Sequence, residues 1–198
     1  MVRGNERFVR GEPLHPRQDV ERRAEVLETQ EPHAALFGCS DSRLSAEIIF
    51  DKGLGDLFVV RNAGQVISDS VVGSLEYAVG ILHVPLIVVL GHDSCGAVGA
   101  AIASQQPDAP VLPTHIASLV SKIVPAVKRV AAQGSIDPHD VGREHLRDTI
   151  AELIESSELI SEAIAAGTLA IVGANYRLLE GTAIADIHVG DLRTRPRP

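Results

Sequence analysis

The chain has 198 residues, is 45% hydrophobic and carries a formal net charge of −8 with a pI of about 5.4. That balance suits one globular domain and argues against a large surface for nucleic acid or for an acidic membrane. No apolar run approaches the roughly 18–20 residues that span a bilayer, and the opening "MVRGNERFVRG" lacks the apolar core of a signal peptide, so the expected compartment is the cytoplasm. Its two cysteines would stay reduced there, as ligands, nucleophiles or core residues rather than as a disulfide.

Four short apolar runs read as buried strands: His33–Ser40, Leu57–Gly64, Pro85–His92 and Leu169–Tyr176. They are continuous rather than alternating, as parallel strands covered on both faces should be. Between the second and third, Val71, Leu75, Ala78, Val79 and Leu82 share one helix face, with Asp69 or Ser70 as the expected cap. Three prolines between Gln105 and Pro113 predict a surface loop, and "AAQGSIDPHD" (131–140) a second break. A long helix is expected from about Arg143 to Ala166, lined by Leu146, Ile150, Leu153, Ile154, Ile160 and Ile164 and stopped by Gly167. Its glutamates read as a solvated face. The stretch "TAIADIHVG" can add an edge strand at the C-terminal side, and residues 191–198, basic and Pro-rich, read as a disordered tail. The expected fold is α/β: a mostly parallel central sheet of about four strands flanked by helices, in a single domain over 1–190.

The first strand ends in "GCSDSR" (Gly38 to Arg43) and the third in "GHDSC" (Gly91 to Cys95). Ligands of open α/β sheets sit beyond the carboxyl ends of the strands, where neighbouring connections diverge. If these two strands are adjacent, Cys39 meets His92 and Cys95. Two thiols and one imidazole are good zinc ligands, and three protein ligands leave the open fourth position of a catalytic site. Cys95 should lie by the first turn of the following helix, whose free N–H groups favour a thiolate. Asp41 and Arg43 follow Cys39 at alternate positions, so Asp41 can reach the fourth position while Arg43 holds its carboxylate. The plainer alternatives are two small core hydrophobes for the cysteines, and a solvated Asp and a surface Arg in a strand–helix loop. Gly91 and Gly96 do not make a phosphate loop, since no Lys-Ser/Thr follows. The remaining histidines (His15, His33, His83, His115, His139, His145 and His188) are scattered and read as surface or satisfied core residues.

At these residues the chain resembles the β-class carbonic anhydrases. "CSDSR" is similar to their Cys-x-Asp-x-Arg motif and "GHDSCGA" to their His-x-x-Cys motif, while "DLFVVRNAG" and "GSLEYAV" resemble the segments between. The resemblance runs from about Gly4 to Gly190. It implies reversible hydration of carbon dioxide to bicarbonate and a proton, by attack of a zinc-bound hydroxide, with one zinc per chain on Cys39, His92 and Cys95. It implies that Asp41, held by Arg43, orients that hydroxide, and that Asp41 can swing onto zinc in a closed, inactive state. It also implies a homodimer or homotetramer and activity that rises with pH across the neutral range. Lys52 and Gly96 are the candidate substrate-binding residues.

The chain departs from the family pattern at several positions. A Trp, Arg and Tyr that trap bicarbonate in some members are matched by Leu36, Arg61 and Ala185, so that trap is expected to be absent or weak. Lys52 stands where many members have a glutamine, and a lysine is longer and charged. Members also carry a further helical stretch before "GNERFVRG", so the N-terminus is short against the pattern. Three rival readings remain on sequence alone: a related zinc hydrolase of carbonyl sulfide or carbon disulfide, a non-catalytic zinc-binding protein, and a cysteine-nucleophile hydrolase. The last needs one thiol paired to a base rather than two thiols in one ligand set.

Overall fold

The computed structural model describes residues 1–134 and 136–191. The elements are α1 (Val2–Arg10), α2 (Val20–Glu25), β1 (Ala34–Cys39), α3 (Ala46–Ile49), β2 (Leu57–Asn62), α4 (Asp69–Gly80), β3 (Leu86–His92), α5 (Gly96–Ala103), α6 (Thr114–Ser121), α7 (Val124–Ala131), α8 (Pro138–Ser156), α9 (Glu158–Ala165), β4 (Ala170–Arg177) and β5 (Thr182–Val189). The strands form one sheet in the order β2-β1-β3-β4-β5. The first four run parallel and β5 returns antiparallel on β4. The expected α/β fold is thus observed, and the C-terminal edge strand forms.

Every residue of β1 is buried, and so is nearly all of β3, which is why these runs show no polar alternation. Alternate side chains nevertheless feed two different cores. Ala35, Phe37, Ile87, Val89 and Ile171 pack under α4, α8 and α9, against Leu75, Leu146, Leu153 and Ile160. Leu36, Val88, Leu90, Ala174 and Tyr176 face the other way, toward α3 and α1, against Ile49, Phe50 and Phe8. A third cluster of Val66, Val98, Ile123, Val127 and Val141 joins α5, α7 and α8 beside the carboxyl ends of the strands. A fully buried leucine such as Leu146 or Leu153 contributes roughly 1.5–3 kcal/mol through removal from water.

Some local expectations need correction. The single helix expected over 143–166 is two helices that start earlier. Asp137 caps α8 by accepting from the His139 N–H (2.8 Å), with Pro138 in the first turn. Ser157 then adopts extended backbone, accepts from the Ile160 N–H to cap α9, and donates from its hydroxyl to Glu76 Oε1 at 2.7 Å. The side-chain pattern runs on through this break because both helices bury the same face. Ser68 occupies the N-cap position of α4, rather than Asp69 or Ser70, which fall in its first turn. Gly167, at φ +68, ends α9 as expected. The tail expectation for 191–198 falls, beyond Asp191, outside the described residues.

Candidate metal centre

The sheet order places β1 and β3 side by side, with Gly38 opposite Leu90. The connection leaving β1 runs to β2 on one side, while β3 lies on the other, so the crevice opens beyond the carboxyl ends of β1 and β3. Cys39 ends β1, His92 ends β3, and Cys95 is the N-cap residue of α5. Between His92 and Cys95 the chain turns sharply, with Ser94 at φ +50. Asp93 pins the turn to the end of β4: its N–H donates to Tyr176 O (3.1 Å) and its Oδ1 accepts from the Leu178 N–H (3.0 Å). The ligand atoms of Cys39, His92 and Cys95 consequently lie within 4.8 Å of one another. Among the described residues this is the one such grouping.

The donor set fits a soft, thiophilic dication. His92 Nδ1 lies 2.8 Å from Asp93 O. A carbonyl can only accept, so Nδ1 carries the proton and Nε2 presents its lone pair. That Nε2 is buried and has no hydrogen-bond partner in the protein. The two thiols share a proton between them. Cys39 is held low, to about 4, chiefly by the neighbouring Cys95 thiol, with the backbone N–H groups of Gly64 and Asp41 adding to that against the cost of burial. Cys95 is pushed up by the Cys39 thiolate and by burial, despite the helix N–H groups of Val98 and Ala97. The helix terminus alone would favour the thiolate at Cys95; the neighbouring sulfur reverses that preference. A bound zinc ion would take the place of the shared proton and satisfy the orphaned imidazole nitrogen.

Asp41 and Arg43 flank this cluster. Arg43 forks onto the carboxylate, with Nε donating to Oδ1 at 2.9 Å and a terminal nitrogen to Oδ2 at 2.6 Å, while the Arg43 backbone N–H donates to Oδ1 at 3.0 Å. This guanidinium, outweighing burial, holds Asp41 far below the usual carboxylate range. The same Arg43 nitrogen also donates to Ser94 O at 3.2 Å, tying the first motif to the second. Asp41 Oδ2 lies 4.0 Å from His92 Nε2, at the rim of the cluster but outside the three-ligand set.

Arg61, read from sequence as the remnant of an anion trap, braces the loop instead. Its Nε donates to Cys39 O (2.9 Å) and a terminal nitrogen to Asp41 O (2.7 Å). Leu36 is buried in the core on the α3 side, and Ala185 lies on β5 opposite Ala174; neither side chain offers a polar atom to an anion. Sequence reasoning also missed Gly64, whose N–H donates to Cys39 Sγ at 3.4 Å. The Gly that closes "VVRNAG" at the end of β2 was its available signal. Gly96 opens α5 and is exposed, and a Cβ added there would meet nothing. Lys52 follows α3. Its backbone N–H donates to Glu47 O, its carbonyl accepts from Gln18, and its ammonium helps burial to depress the Met1 amino group. Among the described residues no helix is long and apolar enough to cross a membrane.

The carbonic anhydrase family profile matches residues 34–183. Carbonic anhydrase 2 of Mycobacterium tuberculosis is 50% identical over 189 residues, covering 96% of this chain and 91% of the relative. The carbonic anhydrase of Mycolicibacterium smegmatis is 48% identical, with 96% and 91% covered. In fold, the chain is similar to a tetrameric β-carbonic anhydrase of Sordaria macrospora, with a TM-score of 0.73 at 23% identity over 84% of this chain and 87% of that one. On these likenesses, together with the two motifs and the parallel sheet that carries them, the chain belongs to the β-class carbonic anhydrase family.

Proposed function

We propose that this chain hydrates carbon dioxide to bicarbonate and a proton, and the reverse, using one zinc ion held by Cys39, His92 and Cys95. The observation that carries the reading is the convergence of two thiols and an orphaned imidazole nitrogen beside an Arg-clamped carboxylate, in a chain half identical to a carbonic anhydrase. Zinc held there supplies Lewis-acid chemistry that brings ionisation of a water molecule close to neutral pH.

The chain's own residues handle orientation. Asp41, ionised because Arg43 holds it, accepts a hydrogen bond from an O–H of the attacking water, and so aims that water's free lone pair at the carbon of carbon dioxide. The new bond is oxygen to carbon; a carbon–oxygen π pair moves onto oxygen, and the proton leaves to solvent. Arg43, with both carboxylate oxygens engaged, keeps Asp41 turned away from the three ligands, which corresponds to the open state of the site. Arg61 keeps the Cys39–Asp41 backbone in register with β2. Gly96 leaves room for a small substrate beside Cys95. Lys52, whose ammonium can donate a hydrogen bond, is the other candidate for contact with substrate.

Residues 1–190 act as one domain, and the working form is a homodimer or homotetramer. The tetrameric Sordaria relative supports that assembly, as do the exposed apolar side chains Val2, Val9 and Ile48 on the packed helices α1 and α3. A cytoplasmic location fits two unpaired cysteines that must stay reduced to bind metal. The test is stopped-flow carbon dioxide hydration on the full chain with its zinc counted. Turnover with one zinc per chain, lost on chelation and regained with zinc, is expected; a full complement of zinc with no turnover overturns the reading.

A further inference from the structure

His145 is buried and takes no part in the chemistry above. It sits on α8, with Nε2 2.7 Å from Gly64 O, while Nδ1 is buried and has no partner. Since a carbonyl only accepts, Nε2 carries the proton and donates, and Nδ1 is the bare lone pair. Burial pushes this imidazole below its usual range, against the pull of the Gly64 carbonyl and of Asp148 and Glu152, which keeps it neutral. One helical turn further, on the same face, the Thr149 hydroxyl lies 2.8 Å from His145 O and 3.3 Å from Gln65 O. His145 therefore grips the Gly64 carbonyl of the turn that follows β2, and the single Thr149 hydroxyl hydrogen is shared between its own helix and the next carbonyl of that turn.

That turn needs gripping. Gly64 has φ +80 and Gln65, which carries a side chain, has φ +48. On the opposite side Asn62 braces it, donating to Val66 O at 2.7 Å and accepting from the Val66 N–H at 3.0 Å. What the turn presents outward is the Gly64 N–H, aimed at Cys39 Sγ at 3.4 Å.

We propose that His145, supported by Thr149, is a positioning residue for the metal centre: it fixes the Gly64–Gln65 turn so that the Gly64 N–H stays on the Cys39 sulfur. That hydrogen bond draws charge from the thiolate and sets its direction, so a residue remote in sequence tunes the metal–sulfur bond. The inference rests on the reading of Cys39, His92 and Cys95 as the metal ligands.

The test uses full-length protein loaded with cobalt(II) or zinc. His145→Phe keeps ring bulk but loses the donor; His145→Gln restores an N–H donor. His145→Phe should shift the sulfur-to-cobalt charge-transfer band to lower energy and release zinc to a chelator about tenfold faster. His145→Gln should return both toward wild type. A residue that merely fills the core would lower thermal stability and leave the band in place. A folded His145→Phe with a native band and native zinc release overturns the proposal. If that variant does not fold, Thr149→Val should show the same red shift to a smaller degree, and a native band in it is equally fatal. Wild type lacking thiolate-to-cobalt bands would instead overturn the ligand assignment, so the two failures are distinguishable.

Discussion

Asp41→Asn separates orientation from metal binding. The Asp41 carboxylate accepts three hydrogen bonds from Arg43: two on Oδ1, from Nε and the backbone N–H, and one on Oδ2 at 2.6 Å. An asparagine keeps the first two through its amide oxygen. It places an NH2 group against the third, donor facing donor at a distance too short for either to remain, so the fork must open. The side chain also loses the charge that lets it accept strongly from the attacking water. A positioned proton-handling group contributes about 10²–10⁴ in rate. The surviving amide oxygen puts the expected loss in kcat at about 10²–10³. Zinc content should not change, because Asp41 lies outside the three atoms within 4.8 Å of one another. Stopped-flow hydration paired with metal analysis reads both quantities. A variant within about twofold of wild type, or one that has lost its zinc, refutes the assigned role.

Other predictions concern the supports. Asp56 is buried and takes a forked Arg17 contact (2.9 and 2.6 Å) plus the Gly53 N–H (2.8 Å). Asp56→Asn breaks that pair; since Arg17 can regain water, the cost should lie near the lower end of the buried-pair range, about 3 kcal/mol. Thermal melts should fall by about 6–12 °C, and an unchanged melt contradicts this. Asp51 and Asp56 are both held below the usual carboxylate range. Burial alone would raise them, but it is outweighed by the N–H groups of Leu14 and His15 with Arg7 for Asp51, and by Arg17 and the Gly53 N–H for Asp56. Each therefore binds its proton more weakly folded than unfolded, so its stabilisation is complete above the unfolded value near about 4 and is lost progressively as pH falls from there through the lower folded value. Urea midpoints of wild type should drop between about pH 5 and 3, and less steeply in the double Asn variant; equal slopes would remove the explanation. Gly64→Ala puts a Cβ 2.8 Å from Ala97 Cβ and 3.1 Å from Ile123 Cδ1 at φ +80. It should release zinc about tenfold faster in chelator competition, with a wild-type rate counting against the role given to this turn.

The parts legible in the sequence were those set by local pattern. Continuous apolar runs such as Leu36–Phe37 and Ile87–Leu90 announce strands with two covered faces, and the spacing of Val71, Leu75, Ala78 and Val79 announces α4. The ligands could be found because both motifs end strands, and adjacent parallel strands bring their ends together. What could not be read depends on partners far along the chain. Arg61 looks the same in sequence whether it binds an anion or the carbonyls of Cys39 and Asp41. The role of His145 needs α8 laid across a turn 81 residues away. The short helix α5 is apolar nearly all round and so carries little amphipathic signal, whereas α7 buries Ala126, Val127 and Val130 and turns Lys128 and Arg129 outward, a face the sequence does carry. The break at Ser157 hides inside an unbroken apolar face.

The most direct test is zinc K-edge X-ray absorption on the purified full chain, beside the Cys39→Ser and Cys95→Ser variants. The account predicts two sulfur scatterers and one imidazole in the wild type, and one sulfur fewer in each variant that still holds metal. A zinc environment of oxygen and nitrogen alone, or one unchanged by either substitution, would contradict it.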